Sequence, residues 1–135
     1  MAATDAERAL ALVGVPFRPQ GRDVGQGLDC VGLCLATYRL PMTIVRRNYR
    51  LRGHYRTEIN LVLRRYFRAV RRREKRPGDL LLMAVAGDQL HLAVLTVAGF
   101  VHADAKLRRV VETPGEPEWP VAGIFRRRVR RISGE

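Results

Sequence analysis

The chain has 135 residues, enough for one domain around a single hydrophobic core, and carries a formal net charge of +12. No apolar run approaches the roughly 20 residues of a membrane helix and no signal-peptide pattern opens the chain, so we expect synthesis in the cytoplasm without membrane insertion. Its basic residues are all arginine except Lys75 and Lys106. This charge favours polyanionic partners, although arginine in place of lysine is also typical of a GC-rich genome.

The apolar periodicity predicts helices in the first half of the chain, over residues 5–13, 30–40 and 57–70. Gly14 and Pro16 end the first helix, and residues 16–27 are predicted to be an extended loop. Asp29 is the predicted N-cap of the second helix, which Pro41 stops. The basic run 71–76 is predicted at the C-terminus of the third helix, where the helix dipole favours cations.

The second half of the chain is rich in β-formers, and Pro77-Gly78 is predicted to be a turn before it. Short strands are predicted over residues 79–85, 91–97, 100–103, 107–112 and 121–129. Helices followed by a meander of strands predict an α+β domain spanning residues 1–135, with a basic tail over about 126–135.

Two cysteines lie four residues apart on one predicted helix, Cys30 and Cys34. That spacing rarely meets disulfide geometry, and no second Cys/His pair follows at zinc-finger spacing, so no metal site is expected. Cys34 is predicted to be a small core residue. Cys30 starts its helix, where the dipole and free N–H groups stabilise a thiolate, so it is the candidate nucleophile.

Histidines on two later strands complete a candidate catalytic group. His91 is the candidate general base for the Cys30 thiol, and His102 the residue that orients the His91 ring. A tight turn at Ala98-Gly99 would pair His102 with Leu95 and place the two histidines roughly 13 Å apart. Their rings meet only if the loop is wider or a bulge shifts the register. The simpler alternatives are a buried helical cysteine and two ordinary strand histidines.

Several motifs in order resemble the NlpC family of bacterial cell-wall cysteine peptidases. They are Leu12-Val13-Gly14-Val15-Pro16-Phe17-Arg18, Gly27-Leu28-Asp29-Cys30-Val31-Gly32-Leu33, Arg76-Pro77-Gly78-Asp79-Leu80-Leu81, His91-Leu92-Ala93-Val94 and Phe100-Val101-His102-Ala103. The short chain, the Asp-Cys-Val-Gly-Leu variant and the Arg47-Asn48-Tyr49 segment look most like the phage-associated branch, which includes peptidases of phage tails and gene transfer agents.

The resemblance implies a papain-like fold, with N-terminal helices packed on an antiparallel sheet, and hydrolysis of an amide in the peptidoglycan stem peptide. The γ-D-glutamyl–diaminopimelate bond is the expected target. The implied catalytic residues are Cys30, His91 and His102, with no cofactor, and the implied substrate-binding residues are Asp29, Phe17 and Gly32. Implied partners are peptidoglycan and tail-tip or baseplate proteins of a phage-like particle, which would carry the enzyme to the periplasm of a recipient cell.

One position departs from the family pattern. Phe17 stands where relatives commonly carry a tyrosine whose hydroxyl lies near the oxyanion, so the oxyanion would depend on backbone N–H groups around Cys30. A structural tail-tip component of the same fold, with little or no activity, is therefore the alternative function.

The arginines, Trp119 and His54 support only less specific predictions. Nucleic-acid binding has only the charge in its favour, because no recognition motif or aromatic platform accompanies the scattered arginines. Trp119 is predicted to be a loop anchor or a wall of a substrate groove, and His54 a loop residue. The arginine run 126–131 is predicted to be a solvated strand face and tail, or a dock for an acidic neighbour.

Overall fold

A six-stranded antiparallel sheet with helices on one face forms the body of the protein. The computed structural model describes residues 3–45, 55–85 and 89–129. Its helices are α1 (Asp5–Ala11), α2 (Cys30–Thr37) and α3 (Tyr55–Tyr66). Its strands are β1 (Arg22–Asp23), β2 (Gly27–Leu28), β3 (Phe67–Ala69), β4 (Leu80–Ala84), β5 (Leu90–Leu95), β6 (Gly99–Asp104), β7 (Arg109–Pro114) and β8 (Val121–Arg127). The predicted α+β class is confirmed.

The sheet order is β3-β8-β4-β5-β6-β7, so the meander from β4 to β7 runs to one edge and β8 returns beside β4. Successive residues of β5 face opposite sides of the sheet. Leu92 and Val94 pack into the core under the helices, while Ala93 and Leu95 join a second apolar cluster on the far face. The sheet is thus covered on both sides along β5.

Helix α2 is the central helix, because nearly every one of its residues is buried. Asp29 caps its N-terminus, as predicted, and accepts a 2.8 Å hydrogen bond from the Gly32 N–H. The helix ends three residues before the predicted boundary. Arg39 adopts φ 55°, and the N–H of Leu40 bonds the carbonyl of Leu35, which is the Schellman arrangement that closes a helix without proline.

The third helix differs most from its prediction. It ends at Tyr66, and Phe67–Ala69 forms β3, an edge strand paired with β8. Phe67 and Val70 fit a helical period, but they face opposite sides of the sheet, and the Phe67 ring packs edge-on against Tyr38 at 5.0 Å. The basic run is therefore not a helix C-terminus; a short 3₁₀ turn occupies Arg72–Glu74.

One further segment contains more structure than the sequence predicted, and a second has ion pairs that the sequence did not predict. The predicted loop 16–27 contains most of the small hairpin of β1 and β2. Arg126 and Arg127 lie in β8, within the predicted strand 121–129 and not in the predicted basic tail. Arg126 forms two short bonds to the buried Asp79, at 2.8 and 2.9 Å, and Arg127 lies 3.6 Å from Asp5. Each of these two arginines therefore has a carboxylate partner within the fold.

Some sequence predictions fall outside the described residues. They concern the Arg47-Asn48-Tyr49 segment, His54 and the tail from residue 130 onward. Within the described ranges, no helix has the length and apolar character needed to span a membrane.

Candidate active site

Cys30 is the first residue of α2 and lies on the wall of a cavity of about 530 Å³. Its side chain belongs to the core on the helix side of the sheet, and only 2% of the residue is exposed. The backbone N–H groups of Leu92 and Val31 lie against the sulfur. The thiol therefore meets the sheet at the start of β5, one residue after His91.

Asp29 fixes the start of α2 through a buried network. One carboxylate oxygen accepts from the Gly32 N–H at 2.8 Å and from the Arg22 guanidinium at 3.1 Å. The other accepts from the Gln20 N–H at 3.1 Å. The cation beside this carboxylate is Arg22, and the implied role of Asp29 in substrate binding stays a prediction.

The hairpin between β5 and β6 brings the two histidines together. Leu95 pairs with Phe100 and Val94 with Val101, so the connection is wider than a two-residue turn. If this register continues along the strands, His102 lies opposite Ala93. His102 is then diagonal to His91, and the two histidines share a face of the sheet. Nε2 of His91 lies 2.9 Å from Nδ1 of His102. The loop is therefore the wider of the two predicted forms, the one in which the two rings can meet.

Two further side chains contact this pair of histidines. Nε2 of His102 lies 3.0 Å from Oγ1 of Thr113 on β7. The Trp119 ring stands edge-on to His91 with a centroid distance of 5.2 Å, and it also lines the cavity. The sequence analysis predicted Trp119 as a loop anchor or a wall of a substrate groove. The local sequence around Thr113, in contrast, does not predict a contact with His102.

Burial dominates the electrostatics of the site. It raises the pKa of the Cys30 thiol to about 12, and the neighbouring Asp29 carboxylate acts in the same direction. Burial also lowers the pKa of His91 to about 4, with His102 adding to the shift, and it lowers the pKa of His102. Among the described residues no hydrogen bond joins Cys30 to His91. The resting site therefore holds a neutral thiol and neutral imidazoles.

The cavity collects five of the six residues predicted for the site. Its lining includes Phe17, Asp29, Cys30, His91 and His102. Lys106 and Asp104 also line it, so it offers groups of both charges beside its apolar surface. An apolar cavity with a few convergent polar groups is the usual form of a small-ligand or peptide-binding site.

Gly32, the sixth predicted residue, is not part of that lining. A Cβ built on it would lie 2.1 Å from the carbonyl oxygen of Gly21, so the glycine permits a close approach between the backbone just before β1 and the first turn of α2. Its predicted contact with substrate stays a prediction.

Comparisons with known proteins bear on the fold. No protein-family model matches the chain, and no curated protein matches it. Two solved structures, the P60 domains of two antigens of M. avium paratuberculosis, each match with a TM-score of 0.58 and 19% sequence identity. One match covers 90% of this chain and 90% of the other; the second covers 93% and 91%. The chain therefore has the papain-like α+β fold of a P60 domain, as the sequence predicted.

Proposed function

We propose that the protein is a cysteine endopeptidase that hydrolyses the peptidoglycan stem peptide, most specifically at the γ-D-glutamyl–diaminopimelate bond. The observation that carries the proposal is the cavity in which Cys30, at the N-terminus of α2, shares a wall with the hydrogen-bonded pair His91 and His102. The likeness of the fold to P60 domains, a family of cell-wall peptidases, supports the substrate class.

The first chemical step is attack of the Cys30 sulfur on the scissile carbonyl carbon. Because the resting thiol is neutral, His91 removes its proton as the C–S bond forms, so no thiolate accumulates beforehand. His91 uses Nε2 to contact His102, which leaves Nδ1 for the thiol. The protonated His91 then donates that proton to the departing amine, and a thioester remains on Cys30.

Water completes the reaction. His91, neutral again, accepts a proton from the attacking water, and the thioester breaks to release the carboxylate product and restore the thiol. Backbone N–H groups at the start of α2 stabilise the oxyanion in both steps, because Phe17 offers no hydroxyl. The loss of one such donor lowers rates by roughly 100-fold in other hydrolases, so we expect slow turnover.

Delivery by the tail tip of a phage or phage-like particle is the proposed route to the cell wall. Its support is the sequence resemblance to the phage-associated branch. In this proposal tail-tip or baseplate proteins are the partners, and the enzyme acts in the periplasm of the recipient cell.

One observation favours the alternative, a structural tail-tip component with little activity. Cys30 is only 2% exposed and its pKa is raised to about 12, the reverse of the lowered pKa typical of reactive catalytic cysteines. In that function the cavity would be a remnant of the fold, and Cys30, His91 and His102 would not be needed for particle infectivity.

Digestion of purified peptidoglycan separates these functions. The wild type, Cys30→Ala and the matched variant Cys34→Ala are compared under reducing conditions from pH 5 to 8, and released fragments are identified by mass spectrometry. We expect stem-peptide fragments from the wild type and Cys34→Ala, and none from Cys30→Ala; the new termini identify the bond. Fragments from none of the folded proteins, alone or within purified particles, would contradict the peptidase proposal and favour the structural one.

A further inference from the structure

His102 is held at both ring nitrogens, by His91 on one side and by Thr113 on the other. We propose that Thr113 is a positioning residue that holds His102 in the tautomer protonated at Nε2, and thereby keeps Nδ1 of His91 free to accept the thiol proton. This inference rests on the proposed peptidase function, but its central readout does not need catalysis.

The register of β6 and β7 places the threonine beside the histidine. Thr113 pairs with Phe100, and Val111 pairs with His102. Directly paired residues share a face of the sheet, so Thr113 lies diagonally across from His102 on the face that carries both histidines. Oγ1 of Thr113 lies 3.0 Å from Nε2 of His102, a normal hydrogen-bond length. His102 is 3% exposed, so water has little access as a substitute partner.

The contacts from Thr113 to His102 and from His102 to His91 determine which ring nitrogen of each histidine carries the proton. A neutral imidazole has one N–H and one acceptor nitrogen. If Nε2–H of His102 donates to Thr113, Nδ1 of His102 is an acceptor, and Nε2–H of His91 must donate to it across the 2.9 Å contact. The proton of His91 is then at Nε2, and Nδ1 retains its lone pair.

The opposite arrangement would disable the base. A threonine hydroxyl that donated to Nε2 of His102 would place the His102 proton on Nδ1, which would donate to Nε2 of His91. His91 would then be protonated at Nδ1 and could not accept the thiol proton. Since burial lowers the pKa of both histidines, both are neutral at pH 7 and their tautomers decide the outcome.

Three variants isolate the hydroxyl. Thr113→Val keeps the shape and removes the acceptor, whereas Thr113→Ser keeps the acceptor. Thr37→Val is the matched control, because the Thr37 hydroxyl is buried with no hydrogen-bond partner among the described residues and lies at the other end of α2. Circular dichroism and thermal unfolding establish that each full-length variant is folded.

The deciding measurement is the ¹⁵N NMR spectrum of the histidine rings at pH 7. In the wild type, Thr113→Ser and Thr37→Val, we expect His102 and His91 both protonated at Nε2. In Thr113→Val we expect a mixture of tautomers for both rings. A wild-type His102 protonated at Nδ1, or tautomers unchanged in folded Thr113→Val, would overturn the inference; if Thr113→Val does not fold, the wild-type and Thr113→Ser spectra still decide it.

Peptidoglycan hydrolysis provides the second readout. We expect Thr113→Val to lower kcat about 10-fold, the effect of one hydrogen bond, with KM changed less than about 2-fold and with Thr113→Ser close to wild type. A change in KM alone would contradict a positioning role. Absence of hydrolysis in the wild type would refute the proposed function, while the NMR tautomers would still test the role of Thr113.

Discussion

The N-terminus and the middle of α2 carry similar thiols in different surroundings. Cys30 and Cys34 lie one turn apart, both are buried, and burial is the main cause that raises the pKa of each. Only Cys30 lines the cavity of the histidines, while Cys34 packs among the apolar residues of the core. Burial therefore does not distinguish a candidate nucleophile from a core thiol. The polar network at the N-terminal end and the adjacent cavity do.

The polar end should be the more fragile one. Asp29→Ala removes the N-cap and leaves the buried Arg22 without its carboxylate, so we expect unfolding free energy to fall by about 3–5 kcal/mol in urea denaturation. Cys34→Ala, in the apolar middle of the helix, should lower the unfolding free energy by only about 1 kcal/mol. Equal effects of the two variants would contradict this difference.

The second-largest difference is expected in the alkylation rates of Cys30 and Cys34. The thiolate is the reactive form, so with a pKa of about 12 the rate at Cys30 should rise about 100-fold between pH 7 and pH 9. Cys34 should stay unmodified in the folded protein, because it lies in the core. Peptide mass spectrometry after iodoacetamide treatment measures both. Fast modification of Cys30 at pH 7 would reveal a thiolate already present in solution.

Acid should lower the unfolding free energy of the protein through the buried His91, which lies near the N-terminal end of α2. Burial holds the pKa of His91 at about 4 against 6.5 in the unfolded chain, so between these values the unfolded state binds more protons. The stability contributed by neutral His91 is complete above pH 6.5 and is lost as pH falls towards 4. We expect His91→Gln to reduce this slope in urea denaturation series, and an unchanged slope would argue against the burial of His91.

The smallest effect is expected at the apolar end. Thr37→Val replaces a buried hydroxyl that has no partner among the described residues, so it should raise the unfolding free energy by about 1 kcal/mol. Thermal unfolding measures this gain. Destabilisation instead would mean that the hydroxyl has a partner, such as a buried water molecule.

Local sequence patterns predicted most helices and strands. Contacts between strands determine the hairpin geometry and the strand at Phe67. Asp29 marked the start of α2 because a cap acts on its own helix. The contact between His91 and His102 depends on the conformation of the β5–β6 hairpin loop. In that loop the Gly99 N–H donates a 3.0 Å hydrogen bond to the Thr96 hydroxyl. The alternation of apolar residues in a strand does not predict this loop conformation. Phe67 fits a helical period equally well, and only its pairing with Arg127 makes it a strand residue.

The same limit applies to the site. Cys30, His91 and His102 could be selected from the sequence because their residue types and order carry chemical meaning. Thr113 could not, since its role depends on a diagonal contact between β6 and β7 that follows from the register of two strands. The pKa shifts of Cys30 and His91 were equally out of reach, because they arise from burial by residues distant in sequence.

Trp119 gives the protein an optical reporter of its own. It is the single tryptophan of the chain, and its ring centroid lies 5.2 Å from His91 and 6.0 Å from His102. A protonated imidazole in contact with indole quenches its emission, so the intrinsic fluorescence should follow the charge of the two histidines without any added label. A molecule entering the cavity should alter the same signal, which makes ligand titrations feasible before any substrate is known.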